Sequence, residues 1–110
     1  MSEYYPDDWV VIRVPDIKND RRPFYRVLAG WSGGWARADA WRMNSGIVRV
    51  EEDDNCYKFF GASGSVYYCS KRSYRLSLST SDVYNHYKLH WKDDFVLMPE
   101  DTNWHELKYE

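Results

Sequence analysis

The chain has 110 residues and a formal net charge of −2, and it is 18% aromatic, with six Trp, ten Tyr and four Phe. A chain of this length forms one domain and buries about two thirds of its unfolded surface, so we expect a single core within residues 1–110. The charge excludes a strongly basic protein, and no apolar run reaches the roughly eighteen residues of a membrane-spanning helix.

The charges are distributed unevenly along the chain. Residues 1–8 contain three acids and no base, and residues 93–110 contain six acids against one Lys. Residues 9–92 carry fourteen Lys or Arg against eight Asp or Glu, a basic balance that could attract phosphate. We expect the acidic ends, residues 1–8 and 100–110, to fray unless Trp104 docks on the core.

Three segments in the first half have the alternation and β-branched content of strands. They are residues 9–14 (WVVIRV), 24–29 (FYRVLA) and 47–52 (IVRVEE). The first segment predicts a strand with both faces partly covered, and Pro15 is expected to end it because proline lacks a backbone N–H. In the third segment, Val48 and Val50 are predicted to point inward, and Arg49 and Glu51 outward.

The clearest hairpin signal in the sequence is at residues 61–64 (GASG), which have glycine at each end. If these four residues form the loop, Phe60 faces Ser65 and Cys56 faces Cys69 across the two strands. Strand alternation then places Tyr57, Phe59, Val66 and Tyr68 on the core face. The opposite face would carry Cys56, Lys58, Phe60, Ser65, Tyr67 and Cys69.

One helix is predicted over residues 81–91. Ser79 and Asp82 fit an S-x-x-D capping pattern, and apolar residues recur at helical spacing up to Trp91. Residues 95–98 (FVLM), which Pro99 ends, predict a last strand or a strap across the core.

These elements predict an α+β fold. A twisted antiparallel sheet of five or six strands, or a small, partly open barrel, is expected to pack against one helix in the C-terminal half. The expected core consists of Val10, Ile12, Val14, Tyr25, Val27, Val48, Val50, Tyr57, Phe59, Val66, Tyr68, Val83, Tyr87 and Phe95.

Residues 31–46 (WSGGWARADAWRMNSG) hold three of the six tryptophans and two glycine-containing turns. Trp and Arg anchor protein interfaces, so this segment predicts a partner-binding surface. The expected anchors are Trp31, Trp35, Arg37, Trp41 and Arg42. The same mixture would also stack on sugar rings, and the alternative is that the tryptophans belong to the core.

A second set of aromatic and basic residues follows the hairpin. It consists of Tyr67, Lys71, Arg72, Tyr74 and Arg75, in which flat rings are interleaved with cations. Such a mixture stacks unpaired bases and follows phosphates. Single-stranded nucleic acid is therefore the alternative partner.

No catalytic set, metal site or cofactor site is predicted. Cys56 and Cys69, with His86 and His90 at i, i+4, are zinc ligand types, but only the histidines have the short spacing of a zinc finger. An oxidised cysteine pair is a second alternative, although two cysteines form no disulfide framework and reduced thiols in a cytoplasm are the default. The sequence has no phosphate loop and no HExxH motif.

The segments YRVLAGWSGG, DAWRMNSGIVRVEED and FFGASGSVYYCSK resemble a family of small proteins of tailed bacteriophages and prophages, over residues 25–102. The resemblance implies an accessory protein in the cytoplasm of a bacterial host and assigns no site residue. Small phage proteins of this kind bind host proteins or act on nucleic acid. We therefore expect a non-enzymatic protein that binds a host or phage protein, without a membrane.

Overall fold

The computed structural model describes residues 2–16, 21–31, 40–107 and 109, and in residues 16 and 21–23 it describes the backbone alone. The described chain forms eight strands and one α-helix, which confirms the predicted α+β class. The strands are β1 (Glu3–Tyr4), β2 (Asp8–Asp16), β3 (Arg21–Trp31), β4 (Ala40–Met43), β5 (Ile47–Glu52), β6 (Cys56–Gly61), β7 (Val66–Ser70) and β8 (Val96–Leu97). The helix is α1 (Leu78–Trp91), and the short 3₁₀ turn Lys92–Asp94 follows it.

The strands form two four-stranded sheets, not the single sheet of five or six strands that the sequence predicted, and no barrel closes. The central sheet has the order β4-β3-β2-β8, and the outer sheet has the order β1-β7-β6-β5. All described pairings between these strands are antiparallel except β1 with β7. The chain passes from one sheet to the other between β4 and β5.

The two sheets and the helix form three layers with the central sheet in the middle. One core cluster lies between the sheets and contains Trp9, Val11, Val27, Ala29, Ile47, Phe59, Tyr67, Cys69 and Trp104. A second cluster lies between the central sheet and α1 and contains Val10, Ile12, Val14, Leu28 and Phe95. Consecutive residues of β2 alternate between the two clusters, so both faces of this strand are covered as predicted. Pro15 does not end β2 but lies at an irregularity of the β2–β3 register.

Most of the predicted core is confirmed. Seven of its residues are buried: Val10, Ile12, Val14, Val27, Phe59, Val66 and Phe95. Five more are partly buried against the two clusters: Tyr25, Val50, Tyr57, Val83 and Tyr87. The prediction is wrong for Val48, which is 47% exposed, because a bulge between Ile47 and Arg49 makes Val48 the extra residue of β5.

The β6–β7 hairpin is present, but its predicted register is wrong by one residue. Phe60 pairs with Val66 and Cys56 with Ser70. The amide of Gly64 donates to the carbonyl of Gly61 at 3.0 Å, and Gly64 has a φ of +96°, as in hairpins with a three-residue loop. Because side chains alternate along a strand, this slip turns Tyr67 and Cys69 into the core and Tyr68 outward.

The slip also separates the two cysteines, which do not face each other as predicted. Cys69 is buried opposite Tyr57, whereas Cys56 is partly exposed at the start of β6. Both thiols are free. Burial raises the pKa of Cys69 well above its usual value and so disfavours the reactive thiolate. His86 and His90 lie exposed on α1, on the far side of the central sheet from Cys69.

Helix α1 begins at Leu78, earlier than predicted, because its cap is Ser77 and not Ser79. The Ser77 hydroxyl accepts a hydrogen bond from the amide of Thr80 at 3.3 Å, and the Thr80 hydroxyl accepts one from the amide of Ser77 at 2.7 Å. This is a capping box in which Thr replaces the usual Glu or Gln. The box lies against Gly30 of β3, where a Cβ atom would be 2.6 Å from Ser77 Oγ.

The connection between the sheets is a corner built on Asn44. Its backbone amide donates to the carbonyl of Val27 at 3.0 Å, and its side-chain oxygen accepts from the amide of Val27 at 2.9 Å. Gly46, two residues later, has a φ of +134°, which side chains other than glycine rarely adopt. Residues 44–46 therefore redirect the chain from one sheet to the other.

The C-terminal segment docks through Trp104, which is buried between the sheets. Its ring centre lies 5.9 Å from that of Trp9, 6.0 Å from that of Phe59 and 5.7 Å from that of Tyr74. Large aromatic side chains bury about 150–250 Å² each, so this contact holds the segment against the core. The described residues around Trp104 are thus not free in solution.

Candidate functional site

Strand β4 is the terminal strand of the central sheet and carries Trp41. Trp41 is 46% exposed, whereas Trp9 and Trp104 are each 1% exposed. It pairs with Gly30, whose missing side chain would point at the capping box, so the Trp41 ring lies on the helix side of the sheet. No aromatic ring among the described residues stacks on it. A large flat side chain is therefore held at the surface by an ordered strand.

The first turn of α1 adds a second apolar side chain at this end. The Ser79 hydroxyl donates to the carbonyl of Ala40 at 3.4 Å, which places the start of α1 beside β4. Leu78, next to Ser79 in the chain, is 78% exposed. We call Trp41 and Leu78 the Trp41 patch.

Arg42 lies on the opposite face of β4, because consecutive side chains of a strand alternate. Its guanidinium carbon lies 4.7 Å from the ring centre of Tyr4, which also makes an edge contact with Trp31 at 6.2 Å. The Trp31 indole donates to the carbonyl of Tyr5 at 3.0 Å, and the ring packs on the core between the sheets. Trp31 and Arg42 are thus brought together, and Trp41 is separated from them.

Of the five predicted anchors, Trp35 and Arg37 lie outside the described residues. Trp31 is half-buried, and Trp41 and Arg42 are exposed. Of the two described tryptophans of this segment, Trp31 is partly buried against the core, and Trp41 is exposed. Strand alternation places Trp41 and Arg42 on opposite faces of β4, and this separation of the anchors was not predicted from the sequence.

The aromatic residues of the alternative nucleic-acid set are inside the protein. Tyr67 is 1% exposed, and Tyr74 packs between both core clusters, with its hydroxyl donating to the carbonyl of Met98. Burial raises the pKa of each hydroxyl to about 12. The buried ring of Tyr67 is not available for stacking on a base, so the expectation is corrected for Tyr67, whereas Tyr74 is partly buried.

The basic residues of that set are at the surface, and two of the three are paired with acids. Lys71 Nζ lies 2.5 Å from Glu52 and Arg75 Nε lies 2.8 Å from Asp8, while Arg72 is exposed. Hydrogen bonds from Lys71 and then from His105 lower the pKa of Glu52. Much of the positive charge in this region is therefore neutralised locally.

The register slip instead creates an aromatic and basic surface on the outer sheet, which the sequence did not predict. The rings of Tyr5 and Tyr68 stack at 4.6 Å with an angle of 10°, and Tyr5 is 60% exposed. Arg49 lies 3.8 Å above the ring of Phe60, and Lys58 Nζ lies 5.8 Å from that of Tyr68. We call these five residues the outer face.

Acidic residues limit the charge of the outer face. Glu3 accepts hydrogen bonds from the hydroxyls of Tyr5 and Tyr68, at 3.3 and 3.2 Å, and Arg49 is paired with Glu51. Partial burial and then Glu3 raise the pKa of Tyr68. Two cations and two carboxylates share this face, so it attracts flat ligands more than highly charged ones.

Within the described ranges, no group of three or more His, Cys, Asp or Glu side chains could hold a metal ion. No helix in this part of the chain is long and apolar enough to cross a bilayer. Comparison of the chain with protein-family models, with curated proteins and with solved structures found no match.

Proposed function

We propose that this chain is a non-catalytic binding protein that contacts a protein partner through the Trp41 patch and the adjoining part of residues 31–46. The observation that carries the proposal is the 46% exposure of Trp41 on an ordered edge strand. Trp is among the residues most enriched at binding hot spots, because a rigid indole buries a large area with little loss of side-chain entropy. Leu78, in the first turn of α1 beside β4, is a second exposed apolar side chain at this end of the sheet.

The position of β4 supports the same proposal. Among the described strands, β4 pairs with β3 alone, so its outer edge faces away from the sheet. An edge strand offers backbone donors and acceptors to another chain, and its side chains add selectivity. Arg42, on the other face of β4, supplies a cation at the rim of the same edge.

The setting is also a proposal. The resemblance of three segments to tailed-phage proteins supports an accessory protein in the cytoplasm of a bacterial host, with a host or phage protein as the partner. This setting determines which lysate is used in the test.

The test compares Trp41→Ala with Leu89→Ala, since Leu89 is 80% exposed on α1 and serves as a matched apolar control. Each protein is immobilised, and partners retained from a bacterial lysate are identified and then titrated in purified form. We expect Trp41→Ala to lose at least about 2 kcal/mol of binding free energy, the size of a hot-spot truncation. Equal binding by both variants and the wild type would refute the role of Trp41.

A stability measurement distinguishes a surface role from a structural one. We expect Trp41→Ala to change the free energy of unfolding by less than about 1 kcal/mol, whereas truncation of a buried Trp costs about 3–5 kcal/mol. A loss in the second range would show that Trp41 supports the fold.

The outer face favours a second candidate function, the binding of single-stranded nucleic acid. Rings such as Phe60 and Tyr68 stack on bases, and Arg49 and Lys58 could each contact one phosphate. Two phosphate contacts on a single strand correspond to an affinity loss of about sevenfold between 50 and 200 mM salt. We expect anisotropy of a labelled oligonucleotide to show this loss, and no binding at low salt would exclude the candidate.

A further inference from the structure

A small cleft opens between α1 and the central sheet, on the same side of the sheet as Trp41. Its volume is about 200 Å³, and aromatic and apolar side chains form most of its wall, including Phe24, Met43, Tyr87, Trp91 and Phe95. The one charged side chain in the wall is Arg26.

Arg26 is half-buried and projects from β3 into this apolar environment. Its Nε atom donates to the carbonyl of Asn44 at 2.5 Å, and the guanidinium lies 5.9 Å from the ring centre of Phe24. None of the ion pairs formed by the described residues includes Arg26; they involve Arg49, Lys71, Arg75 and His105. The four terminal N–H groups of Arg26 therefore have no carboxylate to bind within the described chain.

A guanidinium in this position is suited to an anionic ligand. A charged group taken partly out of water is destabilised unless an opposite charge pairs with it, and burial lowers the pKa of Arg26 accordingly. Arginine stays protonated at neutral pH, so the charge persists. With Nε held by the Asn44 carbonyl, the terminal nitrogens are oriented by the corner between the sheets and present parallel donors to a carboxylate.

The size and walls of the cleft define the rest of the ligand. An apolar cavity of about 150 Å³ accommodates benzene, so about 200 Å³ accommodates one ring with a carboxylate. One arginine among aromatic walls favours a monoanion with an apolar body over a phosphate, which requires more donors. A ring would contact Tyr87 and Trp91 while its carboxylate faced Arg26.

We propose that the cleft between α1 and the central sheet binds a small aromatic or branched monocarboxylate, with the carboxylate on Arg26 and the apolar body against the aromatic wall. The site is separate from protein binding by the Trp41 patch, because Trp41 does not line the cleft.

The test uses phenylacetate and its neutral isostere phenylacetamide, titrated into the full chain carrying ¹³C-methyl methionine. Met43 lines the cleft, whereas Met98 packs against the core between the sheets. We expect phenylacetate to shift the Met43 methyl signal saturably and to leave Met98 unchanged. We expect phenylacetamide to bind about tenfold or more weakly, since a hydrogen bond to a charged group is lost. Acetate, which lacks the ring, should also bind more weakly.

Three variants complete the test. Arg26→Gln should abolish the preference for phenylacetate over phenylacetamide, whereas Arg72→Gln, which removes an exposed arginine elsewhere, and Trp41→Ala should retain it. If Arg26→Gln does not fold, the comparison of acid with amide on the wild type still decides. Equal affinity for acid and amide, no saturable Met43 shift, or an equal effect of inorganic phosphate would each overturn the proposal.

Discussion

Replacement of Gly30 by Ala tests how closely α1 packs against the central sheet. Gly30 lies in β3 directly beneath the capping box of the helix. An added Cβ would be 2.6 Å from Ser77 Oγ and 2.9 Å from Thr80 Cγ2, both shorter than real Cβ contacts. Thr80 is 1% exposed, so its side chain has little free space into which it could move. The helix start must therefore shift, or the capping hydrogen bonds must break.

The expected cost follows from these contacts. Loss of a Ser or Thr cap destabilises by about 0.5–2 kcal/mol, and overpacking of a filled site costs about 1–3 kcal/mol. Removing a glycine from a strand restores about 0.5–1 kcal/mol. We therefore expect Gly30→Ala to lower the free energy of unfolding by about 1–3 kcal/mol.

The measurement is guanidinium unfolding followed by circular dichroism, with Gly61→Ala as the matched control. A Cβ at Gly61 would meet Ser45 Oγ at 3.4 Å, an ordinary contact, so this control should change stability by less than about 1 kcal/mol. Ser77→Gly removes the nearest obstructing atom, and combining it with Gly30→Ala should give a smaller loss than the sum of the single losses. If Gly30→Ala is as stable as Gly61→Ala, the close packing of the start of α1 against Gly30 is refuted.

Two further predictions concern buried polar groups. Asn44→Ala removes the acceptor of the buried Val27 amide and should cost about 1–3 kcal/mol in the same unfolding assay; an unchanged free energy would contradict the corner assignment. Tyr67 and Tyr74 titrate near pH 12 when folded and near pH 10 when unfolded, because burial disfavours the tyrosinate. Their contribution to stability is therefore complete below pH 10 and falls between about pH 10 and 12. Absorbance at 295 nm, compared between the wild type and the variants Tyr67→Phe and Tyr74→Phe, should show that these two hydroxyls ionise near pH 12 in the native protein, and their ionisation near pH 10 would contradict the prediction.

The strands most faithfully predicted from sequence are those whose pattern matches their burial. β3 alternates between Tyr25, Val27 and Ala29 on one face and Phe24 and Leu28 on the other, and the structure buries the two sets in different clusters. The bounds of β5 also agree with the prediction. A pattern of apolar residues that repeats every two positions indicates which residues share a face of the strand, whether or not the partner strand is known.

The division into two sheets could not be predicted in the same way. The corner at residues 44–46 has the composition of an ordinary turn, and its function depends on the hydrogen bonds between Asn44 and Val27. These residues are 17 positions apart in the chain. The bulge at Val48 likewise arises from pairing with β6, and local propensity contains no signal for it.

The candidate surfaces depend on the same non-local pairings. Trp41 and Arg42 are adjacent in sequence and were predicted to act together, yet strand pairing places Trp41 on the helix side and Arg42 beside Tyr4. Strand alternation places Arg26 on the same face as Phe24 and Leu28, but its sequence context does not indicate a cleft. The sequence feature that could have indicated this site is an arginine on the otherwise apolar face of a strand that is buried on both sides.

A single hairpin register decides which tyrosines can bind a ligand. A loop of four residues would have exposed Tyr67 and buried Tyr68, whereas the three-residue loop ending at Gly64 does the reverse. Tyr68 thereby meets Tyr5 on the outer face, and the ring of Tyr67 contacts that of Tyr4 on the inner side, with the ring centres 4.9 Å apart. Because Tyr4 of β1 pairs with Tyr67 of β7, Tyr5, which follows β1, lies beside Tyr68. The outer face is thus a consequence of loop length, and the proposed nucleic-acid candidate moves with it from Tyr67 to Tyr68.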